Sequence, residues 1–110
     1  MTTLHIMDVA DLQDRAVLVE QLRPRLAGAT RALVFGSVAR GEADEWSDLD
    51  LVVIADTDRT FFERFRDFGG LYEVWPRLDL LVYTSAEFER MVDEENPFLL
   101  RVLEEGVDVL

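Results

Sequence analysis

Two almost wholly apolar segments of strand length lie on either side of a short polar turn. The first is Arg31–Phe35 and the second is Leu49–Ala55. Such composition is typical of strands that are buried on both faces of a sheet. Gly36 follows the first segment directly, and the acids Asp48 and Asp50 stand at the start of the second. The fold must therefore hold a small-residue turn and a pair of acids between two buried strands.

The rest of the chain alternates between helical and extended patterns. Helices are predicted from Asp8 or Asp11 to about Arg23, at Val38–Arg40, from Arg59 to about Phe68, from Ser85 through Val92, and from Asn96 to about Glu105. Further strands are predicted at Leu71–Trp75 and Leu78–Tyr83. Four phenylalanines recur at helical spacing and are predicted to be core: Phe61, Phe62, Phe65 and Phe68. Interleaved helices and strands around one sheet predict an α/β or α+β fold, in one domain over residues 1–110.

The composition predicts a soluble, cytoplasmic protein. Hydrophobic residues make up 49% of the chain, as expected for a folded domain. There is no cysteine, which excludes disulfides, thiolate nucleophiles and zinc–sulfur sites and fits a reducing compartment. No apolar run approaches the roughly 20 residues that span a bilayer. The start of the chain lacks the basic and apolar regions of a secretion signal.

The formal net charge of −12 indicates which partners are compatible. Nonspecific binding to nucleic acid is not expected, because the polymer is itself densely negative. A nucleotide ligand would need a divalent cation to neutralise it and the protein's carboxylates, and a basic protein partner is also compatible. All 11 basic residues are arginine, which excludes Schiff-base chemistry and a phosphate-loop lysine. The single histidine, His5, is expected to have no catalytic role.

The turn after the first strand has the residues of a phosphate-binding element. Gly36 allows a ligand to approach the backbone closely, and Ser37 at a helix start would present N–H groups and a hydroxyl. A helix start favours anions, and Arg40 could add charge one turn later. The same residues would also serve an ordinary strand-to-helix turn with a capping serine.

Asp48 and Asp50 form the second candidate element. Alternate residues of a strand share one face, so the two carboxylates would repel each other unless a cation lies between them. Magnesium prefers such oxygen ligands and takes phosphates as further ligands. A solvated turn before a strand is the alternative, whereas a calcium-binding loop is excluded because its central glycine and terminal glutamate are missing. Our hypothesis is that the turn binds the phosphates of a nucleoside triphosphate and the acids bind metal.

Asp79 is the candidate for a third carboxylate. It interrupts the apolar run Leu78–Tyr83, where burying an unpaired acid would be costly. Strands lie about 4.8 Å apart, so acids on neighbouring strands could share metal ions roughly 3.5–4 Å apart. A partly exposed edge strand, or an ion pair with Arg77, is the alternative interpretation.

Gly36-Ser37, ten intervening residues, Asp48-Leu49-Asp50 and the later Asp79 together resemble the nucleotidyltransferase superfamily of DNA polymerase beta. The sequence of residues 35–51 is most similar to that of the minimal nucleotidyltransferase family. The resemblance implies a small mixed sheet flanked by helices, about two Mg²⁺ ions and ATP as substrate. It implies that Gly36 and Ser37 bind the triphosphate, and that Asp48, Asp50 and Asp79 are the metal ligands and catalytic acids. Arg40 and Ser47 are further candidates for binding the nucleotide.

Many such proteins act as antitoxins to a HEPN-domain ribonuclease and transfer AMP to a tyrosine near its active site. The resemblance therefore implies a protein adenylyltransferase of a toxin–antitoxin system. A chain of this size has little room for an acceptor pocket, which favours a protein acceptor. Two alternatives remain: an antitoxin that neutralises its partner by binding alone, and a transferase subunit for a small-molecule or RNA acceptor.

Overall fold

The computed structural model of the protein describes residues 7–110, and these residues form a mixed four-stranded sheet. The strands are β1 (Arg31–Phe35), β2 (Leu49–Ile54), β3 (Leu78–Tyr83) and β4 (Val107–Asp108), in the spatial order β3-β2-β1-β4. β2 and β3 are parallel, whereas β1 runs antiparallel to both β2 and β4. Three predicted strands are thus confirmed to within one residue. His5 lies outside the described residues.

Helices cover both faces of this sheet. In chain order they are α1 (Val9–Leu12), α2 (Arg15–Leu22), α3 (Gly36–Ala39), α4 (Ser85–Asp93) and α5 (Pro97–Glu105), with 3₁₀ segments at Arg23–Arg25 and Phe61–Glu73. Alternate strand residues face opposite sides. Leu33 and Val52 pack with Val102 of α5, whereas Val34 and Leu51 pack into the cluster that contains the N-terminal helices. The sheet is therefore buried from both sides.

The prediction of a single N-terminal helix running to about Arg23 is wrong, because the structure has two helices there, α1 and α2, separated by two residues. Asp14 caps α2 by accepting hydrogen bonds from the N–H groups of Ala16 and Val17, at 3.0 and 3.4 Å. An aspartate that bonds to nearby backbone N–H groups favours a helix start over a helix interior. The break therefore follows from the residue type at position 14.

The two C-terminal helices are confirmed, and both begin at side-chain caps. Asn96 caps α5 by accepting a hydrogen bond from the N–H of Leu99 at 3.1 Å. Thr84 caps α4, because its hydroxyl accepts a hydrogen bond from the N–H of Glu87 at 3.2 Å. Glu87 in turn accepts from the N–H of Thr84, which completes a capping box.

The strand predicted at Leu71–Trp75 is wrong. Most of this stretch belongs to the 3₁₀ segment Phe61–Glu73, which kinks at Phe68, where φ is −128°. After the kink, Phe68, Leu71 and Val74 are buried at intervals of three residues. Three residues per turn is the 3₁₀ period, whereas a strand would bury every second residue.

The predicted aromatic core is correct only for Phe68. Phe61, Phe62 and Phe65 are exposed, Phe62 to 84%. Before the kink the inward position is taken by Arg64, whose side chain is only 9% exposed. A sequence pattern of apolar residues did not indicate that a charged residue would be buried there.

The buried Arg64 joins β3 to α4. Its guanidinium donates to both carboxylate oxygens of Glu87, at 2.6 and 3.2 Å, and to the carbonyl of Val82 at 3.1 Å. Because Val82 belongs to β3, this pair fixes the strand that carries Asp79.

We expect Glu87→Gln to lower the free energy of unfolding by about 2 kcal/mol at pH 7, since Arg64 then lacks its counter-charge. Hydrogen bonds from Arg64 hold the pKa of Glu87 below its ordinary value. The stabilisation is therefore complete above the ordinary glutamate pKa and is lost as the pH falls through the lowered pKa. Urea unfolding curves of the parent and the variant should converge at low pH.

The matched control is Glu89→Gln, which removes the same charge from an exposed position of α4. It should change the free energy of unfolding by no more than about 0.5 kcal/mol. Equal losses in the two variants would mean that overall charge, and not the contact with Arg64, sets the effect.

Candidate active site

Three carboxylates lie at one end of the sheet. The parallel register of β2 and β3 places Asp50 directly opposite Asp79. Paired residues project from the same face, here the face covered by α5. Asp48 precedes β2 by one residue and lies close enough to raise the pKa of Asp50. The structure therefore brings together the three acids that the sequence singles out.

Asp50 lies in an environment that disfavours its negative charge. Burial, then the charge of Asp79, then the charge of Asp48 raise its pKa from 3.8 to about 6. Arg40 acts in the opposite direction and lowers it. Each cause of the rise is a cost of holding negative charge in this place, and a bound cation would remove that cost.

Asp79 lies on β3, at an edge of the described sheet, and is exposed. The alternative interpretation, that Asp79 lies on an exposed edge strand, is thus confirmed. The strand register nevertheless pairs Asp79 with Asp50. Arg77 does not turn toward it: its guanidinium donates to the carbonyl of Glu45 and lies over the rings of Trp46 and Trp75. An exposed acid beside a half-buried one can meet a large second substrate.

Gly36 lies against the side chain of Asp50. Its φ is +73°, a left-handed conformation that favours glycine. A Cβ atom at this position would overlap Oδ2 of Asp50. The absence of a side chain therefore lets the turn and the carboxylate occupy adjacent space.

The turn continues into α3, where Ser37 is the second residue and Arg40 follows the last. The N–H of Gly36 donates to Oε1 of Glu105 at 3.1 Å, and Arg40 donates to the same oxygen at 3.4 Å. Arg40 also pairs with Glu42 at 3.0 Å. Sequence reasoning missed Glu105; the one available signal is a carboxylate in the last turn of a helix, where the dipole disfavours it.

Ser47 is adjacent to the acids but engaged with its own loop. Its hydroxyl accepts from the N–H of Asp44 at 2.9 Å and lies 3.2 Å from Oδ1 of Asp44. Trp75 donates from Nε1 to the carbonyl of Ser47 at 3.0 Å, which ties the loop to the core. Trp46 is 74% exposed beside it. In this arrangement the loop sets where β2 begins and hence where Asp48 lies.

The acid cluster suits a metal that brings its own further ligands. Among residues 7–110, no group of three or more histidine, cysteine, aspartate or glutamate side chains is placed to hold a metal ion without further ligands or movement. The donors are nevertheless of the hard oxygen type that Mg²⁺ prefers, and magnesium commonly retains waters and takes substrate phosphates. Burial and the charges of Asp79 and Asp48 raise the pKa of Asp50, and a cation bound there would act in the opposite direction.

In the described part of the chain, no helix has the length and apolar character needed to cross a membrane.

The sequence of this chain is similar to those of known nucleotidyltransferases. A family model for the nucleotidyltransferase domain matches residues 17–105. A candidate protein adenylyltransferase of Methanocaldococcus jannaschii is 36% identical over 85 residues, which are 76% of this chain and 82% of that protein.

Two solved structures have related folds. One, described as a candidate minimal nucleotidyltransferase, is 33% identical and aligns over 92% of this chain and 95% of its own, with a TM-score of 0.54. The other is a mutant of the toxin–antitoxin MntA–HpeT, with a TM-score of 0.57 over 88% of this chain and 73% of its own. At 17% identity, the second comparison concerns the fold alone.

Proposed function

This chain belongs to the nucleotidyltransferase domain family and is a transferase of that class, and we propose that it moves AMP from ATP to a tyrosine hydroxyl of a HEPN-type ribonuclease toxin. The observation that carries the proposal is the pairing of Asp50 with Asp79 beside Asp48 and the Gly36 turn. In this proposal residues 1–110 act as one minimal nucleotidyltransferase domain and as the antitoxin of the pair.

Each residue has a role in the proposed reaction. Asp48, Asp50 and Asp79 would hold Mg²⁺, which supplies charge neutralisation at the attacking and leaving oxygens. The N–H of Gly36, with Ser37 and Arg40, would hold the triphosphate, and Ser47 would border it.

The tyrosine oxygen attacks the α-phosphorus, the bond to the bridging oxygen breaks and pyrophosphate leaves. Asp79 accepts the hydroxyl proton. Its exposure supports this role, because an acceptor on another protein can reach it.

Three observations support a protein acceptor. Asp79 is on an exposed edge strand and not in a closed pocket. The formal charge of −12 complements a basic, RNA-cleaving partner. The relative from Methanocaldococcus jannaschii is named as a protein adenylyltransferase, and one fold neighbour is a toxin–antitoxin.

The test combines the protein with ATP labelled at the α-phosphate, Mg²⁺ and the HEPN-type product of an adjacent gene. We expect label on the partner, loss of its ribonuclease activity, and a modified tyrosine by mass spectrometry. The variant Asp48→Asn should transfer no label. If Asp48→Asn still neutralised the partner, binding alone would explain the antitoxin effect. If label appeared on RNA or on a small molecule, the acceptor would be wrong while the transferase remained.

A further inference from the structure

Glu105 makes contacts that a bound phosphate would make. One carboxylate oxygen, Oε1, accepts from the N–H of Gly36 at 3.1 Å and from the guanidinium of Arg40 at 3.4 Å. The side chain is 23% exposed, so it is directed largely inward. Its charge also reaches Asp50, whose pKa it raises.

This position is unfavourable for a negative charge on local grounds. Glu105 is the last residue of α5, where the helix dipole presents its negative end. It also lies close enough to act on Asp50, which is already near the charges of Asp79 and Asp48. Glu104 carries the same charge in the same turn but is exposed to solvent. The two donors at Gly36 and Arg40 are thus what favours an inward carboxylate at position 105.

We propose that Glu105 is an internal anion that occupies the triphosphate-binding donors while the site is free of nucleotide, and that ATP must displace it to bind. The inference rests on the proposed function, since it assumes that Gly36 and Arg40 receive phosphate. An oxygen of the triphosphate and the Glu105 carboxylate cannot accept the same N–H hydrogen bond at full strength. Displacement makes nucleotide binding weaker than the donors alone would allow.

Displacement also links the site to the end of the chain. Glu105 is followed by Gly106 and by β4, which pairs with β1 beside the turn. If ATP displaces the Glu105 carboxylate, the backbone at the junction between α5 and β4 is therefore expected to shift. The weaker affinity confines nucleotide binding to ligands with enough charge to compete, such as a triphosphate with its metal.

The test compares Glu105→Gln with the matched variant Glu104→Gln by titration calorimetry with ATP in the presence of Mg²⁺. Both variants lose one negative charge from the same turn, but only Glu105→Gln loses it at the donors. We expect Glu105→Gln to bind ATP about tenfold more tightly than the parent, since a charged hydrogen-bond partner no longer competes. Glu104→Gln should stay within about twofold of the parent.

Inorganic tripolyphosphate serves as a second probe, and Glu105→Ala as a second variant. Both substitutions at position 105 should tighten tripolyphosphate binding, because the competition concerns phosphate and not the base. A damaged fold loses affinity, so a gain separates competition from a structural role. Equal ATP affinity in the parent and both glutamine variants, or weaker binding by Glu105→Gln, would overturn the inference alone. If none of these proteins bound ATP, the proposed nucleotide site would fail as well.

Discussion

Replacing Asp50 with asparagine is expected to abolish nucleotidyl transfer while making the metal-free protein more stable. Transfer should fall by at least roughly a thousandfold, because the variant loses a charge that we propose binds metal at the reacting phosphate. Stability should rise because Asp50 is held in a place that disfavours its charge. Burial, Asp79 and Asp48 together raise its pKa to about 6.

The size and the pH dependence of the stability gain follow from that pKa. A rise from 3.8 to about 6 corresponds to roughly 3 kcal/mol, which solvent screening at this partly exposed site reduces to about 1–2 kcal/mol. Between pH 3.8 and about 6, Asp50 holds a proton in the folded protein but not in the unfolded protein. Asp50 therefore costs nothing below about pH 4, and its cost grows as the pH rises and is complete above about 6. Urea unfolding in EDTA should show the gain of Asp50→Asn at pH 7.5 and little of it at pH 4.5.

Asp79→Asn is the matched control for Asp50→Asn. Asp79 is opposite Asp50 in the sheet but exposed. Its replacement should abolish transfer equally and raise stability less, since no burial cost is removed directly. Magnesium should raise the melting temperature of the parent more than that of Asp50→Asn. A loss of stability in Asp50→Asn at pH 7.5 would contradict the view that the negative charge of Asp50 destabilises the metal-free protein.

The sequence predicts the strands and the acids well for a physical reason. β1 and β2 are buried on both faces, so their apolar runs have one interpretation. Asp79 is identified because a carboxylate inside an apolar strand needs an explanation, and the observed register with Asp50 supplies one.

Other features depend on contacts that residue patterns do not record. The 3₁₀ segment resembles a helix followed by a strand until the burial of Arg64 and the kink at Phe68 are known. Glu105 reaches Gly36 across 69 positions of sequence, and only the packing of α5 against β1 brings them together. Long-range contacts of charged side chains are therefore what the sequence leaves open.

Gly36→Ala is expected to reduce transfer by about a hundredfold, with a modest loss of stability. The new Cβ would overlap Oδ2 of Asp50, so the carboxylate must move away from its position beside Asp79 and Asp48. A shift of about 1 Å at a reacting centre can cost that much in rate. The left-handed backbone at this residue adds a strain of about 1–2 kcal/mol.

Gly41→Ala separates the two effects of the substitution. Gly41 has the same φ of +73°, but a Cβ there would meet no atom within 4 Å. Both variants should therefore lose about 1–2 kcal/mol in urea unfolding, whereas only Gly36→Ala should lose transfer and the Mg²⁺-dependent rise in melting temperature. If Gly41→Ala lost transfer to the same degree, backbone strain would explain the effect. If neither variant lost transfer, the close approach of the Gly36 turn to the Asp50 carboxylate would have no part in catalysis.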